Sequence, residues 1–384
     1  MLLKTPFRAL DLWRQLLLPC PFPGIWRYLY RLALGVLLLP LFVAAQCLHW
    51  LGFAVDELLF RGYRKVEVRH PVFVLGVPRS GTTRSHRLLA EDPRFTTFST
   101  WECLFAPSIS ERYAIRAAAA LDRRLGAPLH VLVGWLERRV AGALDEVHPI
   151  SLAAPEEDYL ALLPVLCCFV LVIPFPQANW LWRLARFDRD LPATEQRRFI
   201  AGYRRCLQRH LFVHGPDKTL LSKNASFAGM AHSLARAFPD SRIVVCERDA
   251  LQVIGSQFNA LAGARRLCGL AADEPRFRDQ LLASLEFYYR NLDTLKRELP
   301  ASRCFVLAAA DLARAPEEQR ARLYRQLGLG APPVSATPSG PSASAGAAAG
   351  IHRPVAQPPL ARWGLQASEL RRRFGPWCRA EARL

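Results

Sequence analysis

Lysine is scarce in this 384-residue chain. Of 51 basic residues only Lys4, Lys65, Lys218, Lys223 and Lys296 are lysine, and the rest are arginine. With alanine so abundant beside it, the arginine excess reads as the imprint of GC-rich coding sequence. The net charge of +18 and a pI near 10 therefore give no footprint of a nucleic-acid binder. Basic runs interleaved with aromatics are absent, as is any recognisable nucleic-acid module, which excludes a nucleic-acid partner. The same charge still suits a polyanionic substrate. The ten cysteines form no CxxC pair and no nearby metal-ligand spacing. The one close pair, Cys167-Cys168, lies within the apolar run LLPVLCCFVLVIP. Zinc and disulfide frameworks are thus disfavoured, and reduced, buried thiols in a cytosolic compartment are expected.

Charge is missing altogether from residues 32–55, which contain no Asp, Glu, Lys or Arg. About 20 apolar residues span a bilayer, so length alone permits a crossing. Pro40 interrupts the run, and Gln46 and His49 dilute its second half. Both flanks are basic, with Arg27 and Arg31 before and Arg61, Arg64 and Lys65 after. A single crossing prefers asymmetric flanks; symmetric ones fit a helix or re-entrant hairpin lying on an anionic leaflet. Both possibilities stand at this stage. No small-residue cleavage site follows, so a removed signal peptide is not expected. Residues 1–70 read as a membrane-associating segment and 71–384 as one domain, long enough to bury a large core.

From 71 to 330 the pattern alternates strand and helix, which predicts an α/β fold with a parallel, P-loop-like sheet flanked by helices. Strands are expected near 72–77, 219–222, 243–246 and 304–307. Helices follow near 82–90, 228–238, 250–261 and 275–299. Residues 106–181 read as a mostly helical, apolar cap facing the substrate. Residues 331–350 are Pro, Ser, Ala and Gly, a flexible loop, and a short amphipathic segment (363–377) follows.

The stretch VFVLGVPRSGTT, residues 72–83, carries the chemistry. A buried strand ends at Gly76, a loop runs to Gly81, and Thr82 and Thr83 open a helix whose free N–H groups and positive dipole end face the loop. The spacing G-x-x-x-x-G matches a nucleoside-triphosphate P-loop, but Thr82 stands where the lysine belongs. Arg79 supplies the cation instead, which suits one phosphate beside another anionic group. A second anchor is RIVVCERDALQVIGSQF, where Arg248 leaves a strand at its carboxyl end and Ser256 lies eight residues on. Ligands of open α/β sheets bind at that edge, so Arg248 and Ser256 form a second phosphate site. The third is LLSKNASF, where Lys223 follows a strand and suits a migrating, trigonal anionic group.

Together VPRSGTT, LLSKNASF and RDALQVIGS resemble the family of sulfotransferases that use 3′-phosphoadenosine-5′-phosphosulfate (PAPS). The similarity is greatest to the bacterial branch with an arginine in the loop, related to the protein-tyrosine sulfotransferases, and it covers about 71–330 plus QASELRRRFGPW. The resemblance implies that Arg79, Ser80, Gly81, Thr82 and Thr83 hold the 5′-phosphosulfate, that Arg248 and Ser256 hold the 3′-phosphate, and that Lys223 stabilises the sulfuryl group. It implies Glu102 as the catalytic base, with a pKa raised by an apolar surround; His148 is the alternative base and His86 a packed histidine. PEEDYLAL, with Glu156, Glu157 and Asp158, is implied near the acceptor, though a helix's first turn also favours such carboxylates. The chain departs from the family at AAADL (308–312), which keeps only Asp311, and at Asn224.

A sulfuryl group carries less charge than a phosphoryl group, so no metal is required. The acceptor is expected to be a hydroxyl-bearing small molecule or lipid, met at the cytoplasmic face of the inner membrane or in the cytoplasm. Two rivals remain at this stage: a P-loop kinase-like phosphotransferase, and a non-catalytic, membrane-associated nucleotide-binding protein.

Overall fold

The computed structural model describes residues 4–17, 24–144, 151–271, 274–333 and 360–378. His148 and all but the first residues of the 331–350 segment lie outside them. Two helices come first, α1 (Thr5–Leu17) and α2 (Ile25–Leu59). The α/β body follows as β1 (Val72–Gly76), α3 (Thr82–Ala90), β2 (Phe95–Thr96), α4 (Thr100–Phe105), α5 (Ile109–Arg124) and α6 (Pro128–Leu144). Next come α7 (Asn179–Ala185), α8 (Phe187–Asp190), α9 (Ala193–His214), β3 (Thr219–Lys223) and α10 (Ala231–Ala237). The body ends with β4 (Arg242–Glu247), α11 (Ala250–Leu267), α12 (Pro275–Glu298), β5 (Cys304–Ala308), α13 (Ala309–Arg314) and α14 (Pro316–Gln326), and α15 (Ala367–Phe374) packs on α11.

All strand pairings in the sheet are parallel, in the order β2-β3-β1-β4-β5. Side chains alternate between two cores, as the twofold period of a strand requires. Phe73, Leu75, Ile243 and Val245 face the larger core with α9, α10 and α12. Val72, Val74, Val244 and Cys246 face a smaller one closed by Leu89 of α3 and Leu323 and Tyr324 of α14. From β1 the chain moves to one side of the sheet, towards β2 and β3; from β4 it moves to the other, towards β5. The carboxyl ends of β1 and β4 therefore flank the switch point, where a crevice opens.

Three expectations need correction. Residues 32–55 are neither a hairpin nor a segment broken at Pro40: they lie within the single 35-residue helix α2. Pro40 sits on its exposed side, where the lost hydrogen bond is least costly. The 106–181 stretch is helical only in its first half. From 151 to 178 it consists of turns and the 3₁₀ stretches Asp158–Val165 and Phe169–Val172, because Pro155, Pro164, Pro174 and Pro176 remove backbone donors. The predicted helix at 228–238 begins as a 3₁₀ turn, Ala225–Met230, before α10. β2 had no predicted counterpart, being two residues long.

Candidate functional site

The loop after β1 is shaped by close approach. A Cβ on Gly76 would stand 2.4 Å from Ser80 Oγ and 2.8 Å from the Cys246 carbonyl oxygen, so only glycine lets the loop fold back beside β4. Arg79 takes a left-handed backbone, φ 72°, and Gly81 follows at φ 94°. That conformation is uncommon for a residue with a side chain and collects at functional loops. Ala309 lies next to Gly81, its Cβ 3.4 Å from where a Cβ on Gly81 would stand, an ordinary contact, so it is the left-handed φ that calls for glycine there. Ser80 Oγ is buried without a hydrogen-bond partner, and the first amides of α3 have no intrahelical acceptor. The loop thus offers donors to an anion.

Arg79, Arg248 and Ser256 meet across the switch point. Arg79 Nε donates to Ser256 Oγ at 3.0 Å, and Arg248 NH1 donates to the Arg79 carbonyl oxygen at 3.1 Å. Burial, and then the Arg248 charge, pull Arg79 below the ordinary arginine range. Two guanidiniums held together in this way favour an anion between them. Tyr289 Oη donates to the Arg248 carbonyl oxygen at 3.1 Å. Beside Arg248 lies a cavity of about 210 Å³, lined in part by Val77, Asp249, Lys296 and a stacked pair, Tyr289 and Trp377, with ring centroids 5.2 Å apart. Sequence reasoning missed this aromatic wall, since Trp377 comes from the last described segment of the chain.

Lys223 ends β3, the strand paired with β1. Its Nζ, in a side chain only 4% exposed, lies 2.9 Å from Glu157 Oε1 and 3.9 Å from Glu156 Oε1. Asp158, next along, turns inward. It accepts from Tyr203 Oη at 2.6 Å and from Asn224 Nδ2 at 3.2 Å. Burial pushes its carboxyl up to about 6, against the lowering effect of those hydrogen bonds. So three adjacent carboxylates divide: Glu156 and Glu157 face the lysine, while Asp158 ties the cap to α9 and β3. Asn224, the departure noted after Lys223, is one of its anchors.

Glu102 is placed elsewhere. Its Oε2 accepts from Ser99 N and Oγ as a capping box for α4, and its Oε1 meets His214 Nε2 at 2.5 Å, with Arg112 Nε at 3.8 Å. No hydrogen bond or ion pair among the described residues joins it to Lys223. Tyr203 Oη also reaches Ser222, the neighbour of Lys223, at 3.1 Å. His214 lies eleven residues further along α9, about 16 Å along the axis. The expected upward pKa shift is also overturned. Burial pushes the carboxyl up, but the His214 hydrogen bond and the Arg112 charge outweigh it and hold Glu102 well below the usual range. His86 is packed as expected, fully buried with Nε2 2.7 Å from Thr97 Oγ1, and burial keeps it well below the ordinary histidine value.

Glu102, His210 and His214 bring ligand atoms within 4.8 Å of one another, a spacing that a metal ion could bridge. Arg112 NH1 lies 3.3 Å from His210 Nδ1, and Arg116 NH2 lies 3.3 Å from His214 Nε2. With a guanidinium beside each imidazole, the cluster is already hydrogen-bonded within the protein, and the nearby positive charge disfavours a cation there.

Comparison with known proteins gives the family and the fold. Omega-hydroxy-beta-dihydromenaquinone-9 sulfotransferase Stf3 of Mycobacterium bovis and of Mycobacterium tuberculosis are each 27% identical over 274 residues, 68% of this chain. The chain spans 63% of the length of those relatives. Sulfotransferase STF1 from Mycobacterium tuberculosis H37Rv shares the fold with a TM-score of 0.61 at 20% identity, over 85% of this chain and 81% of that one. Sulfotransferase STF9 from Mycobacterium avium does so at 0.62 and 19%, over 85% and 80%. The model of the sulfotransferase family matches residues 71–333, from just before β1 to the end of the sheet domain, and the chain belongs to that family.

Proposed function

We propose that the chain moves a sulfuryl group from PAPS to a hydroxyl of an amphipathic acceptor, without a metal. The observation that carries this reading is the meeting of Arg79, Arg248 and Ser256 at the switch point. It makes two adjoining anion sites, as a nucleotide with phosphates at both ends of its ribose needs. When bound, PAPS supplies a sulfuryl group carried on its 5′-phosphate. Such a transfer passes through a loose transition state and is catalysed by positioning and electrostatics. Arg79, Lys223 and the Thr82 and Thr83 amides stabilise charge that develops on the leaving phosphate. With fixed cations in that role, magnesium is not needed.

The carboxylate at the transfer lysine is Glu157 rather than Glu102. We assign Glu157 the acceptor's proton, taken as the new S–O bond forms. Glu102 becomes a positioning residue that holds α4 against α9. A relative named for omega-hydroxy-beta-dihydromenaquinone-9 supports a hydroxyl-bearing lipid as acceptor class. PAPS is made in the cytosol, so the site should face the cytoplasm. A screen of lipid and small soluble alcohols with radiolabelled PAPS would identify the acceptor.

Calorimetry tests the donor site. 3′-Phosphoadenosine-5′-phosphate should bind tightly without magnesium, and ATP weakly. ATP–magnesium binding as tight as the bisphosphate would refute the reading. Arg248→Ala should lose about 1.5–3 kcal/mol of preference for the 3′-phosphorylated nucleotide, the size of one charge-assisted bond.

A further inference from the structure

The long apolar helix α2 is fastened at both ends to the same folded body. Near its start, Tyr30 Oη donates to the Leu267 carbonyl oxygen at 3.1 Å and Arg31 NH2 to that of Pro174 at 3.3 Å. Near its end, Trp50 Nε1 donates to the Pro164 carbonyl oxygen at 3.0 Å, and His49 Nδ1 meets Glu111 Oε1 at 2.6 Å. Asp56 accepts from the Ile109 and Ser110 amides at 2.9 Å, capping α5, and pairs with Arg209 at 3.0 Å. Gly52 permits this closeness, since a Cβ there would lie 2.5 Å from Ser108 Oγ. Arg31 and Asp56 are 25 residues apart within α2, about 37 Å along its axis. That exceeds the roughly 30 Å hydrocarbon core of a bilayer. A crossing helix would put Arg31 and Asp56 on opposite sides of the membrane, although both touch one domain.

Yet α2 is long and apolar enough to cross, and only 6% of its most apolar window is buried. Val36, Leu37, Leu41 and Leu51 are each more than 60% exposed. The same surface chemistry recurs in α6, a helix the sequence placed in the substrate cap. Leu129, Val131, Leu132, Trp135 and Leu136 all stand exposed there, and α6 joins α2 through α5, which packs against both. A helix apolar on so much of its circumference belongs in a core or in lipid, and among the described residues none of the α6 side chains is buried. Exposed Arg27 near the start of α2, Arg61 and Lys65 after it, and Arg138 and Arg139 within α6 suit anionic headgroups.

We propose that α2 lies flat in the interface of one anionic leaflet, with α6 as a second inserted element, so that the protein is monotopic and does not span. The occupant of the apolar surface is lipid. This assignment is independent of the sulfuryl chemistry.

The test is depth measurement on the full-length protein. Single cysteines at Val36, Leu41, Leu51 and Leu132, in a background lacking the exposed Cys47, would carry an environment-sensitive fluorophore. Vesicles of phosphatidylglycerol and phosphatidylethanolamine would contain lipids with quenchers at fixed depths. All four positions should report one shallow depth, within about 5 Å of each other, as for an interfacial helix. Depths that run through the bilayer centre from Val36 to Leu51 would overturn the proposal in favour of a span. Quenching on α2 but not at Leu132 would overturn the part given to α6. Absence of quenching everywhere, with a dimer by light scattering, would assign the surface to a second copy of the chain.

Discussion

Lys223→Ala should cut sulfuryl transfer by about 10²–10³-fold, the size expected when a preorganised cation is removed from developing charge, while 3′-phosphoadenosine-5′-phosphate still binds. The reason is position. Lys223 ends the strand beside β1 and lies next to Glu157, whereas the nucleotide's two ends are assigned to Arg79 and to Arg248 with Ser256. Single-turnover transfer from radiolabelled PAPS, measured beside the bisphosphate's Kd, separates the two effects. Equal losses in rate and in binding would make Lys223 a nucleotide anchor and not a transfer group. Lys223→Arg should recover only part of the rate, because a planar fork does not replace a point charge on a flexible stem.

Glu157→Gln and Glu102→Gln should separate cleanly. The first should remain folded and transfer about 10²–10⁴-fold more slowly, the usual contribution of a general base. The second should chiefly lose stability, by about 3–5 kcal/mol, because it leaves Arg112, fully buried, facing a neutral group. The pH dependence has a definite sign. A carboxyl whose folded pKa lies below its unfolded value stabilises the fold above that unfolded value and loses the contribution as pH falls. For Glu102 the loss begins below its ordinary value of 4.5. Acid unfolding of the wild type should therefore be steeper in this range than that of Glu102→Gln. Thermal melts at pH 7 and pH 4 check this. Should Glu102→Gln melt normally and yet be inactive, the base role would return to Glu102.

What could be read from the residues, and what could not, follows from the range of the forces involved. The loop, Arg248, Ser256 and Lys223 follow strands that are short, apolar and sharply ended, so their place at one sheet edge follows from local pattern. The surroundings of Glu102 were not legible, for the opposite reason. Its counting distance from the loop is right, but its partners, His214 and Arg112, come from α9 and α5, and no local signal records that they converge. The approach of Glu157 to Lys223 likewise depends on how the proline-broken segment after 151 folds back over β3. Length and hydropathy flagged α2 as a membrane element, but the polar contacts that pin its two ends are non-local. In α6, apolar residues read as part of a substrate-facing cap stand exposed among the described residues.

The Lys223–Glu157 pair also bears on the order in which substrates are used. Lys223 Nζ donates to Glu157 Oε1 at 2.9 Å, so the carboxylate assigned the acceptor's proton is engaged by the lysine. An acceptor alcohol arriving first meets an occupied base. The donor's sulfuryl end competes for the lysine and draws it off, which frees Glu157 at the moment a sulfuryl group is in place to be attacked. On the roles proposed for Lys223 and Glu157, such an interlock predicts compulsory-order kinetics, donor before acceptor.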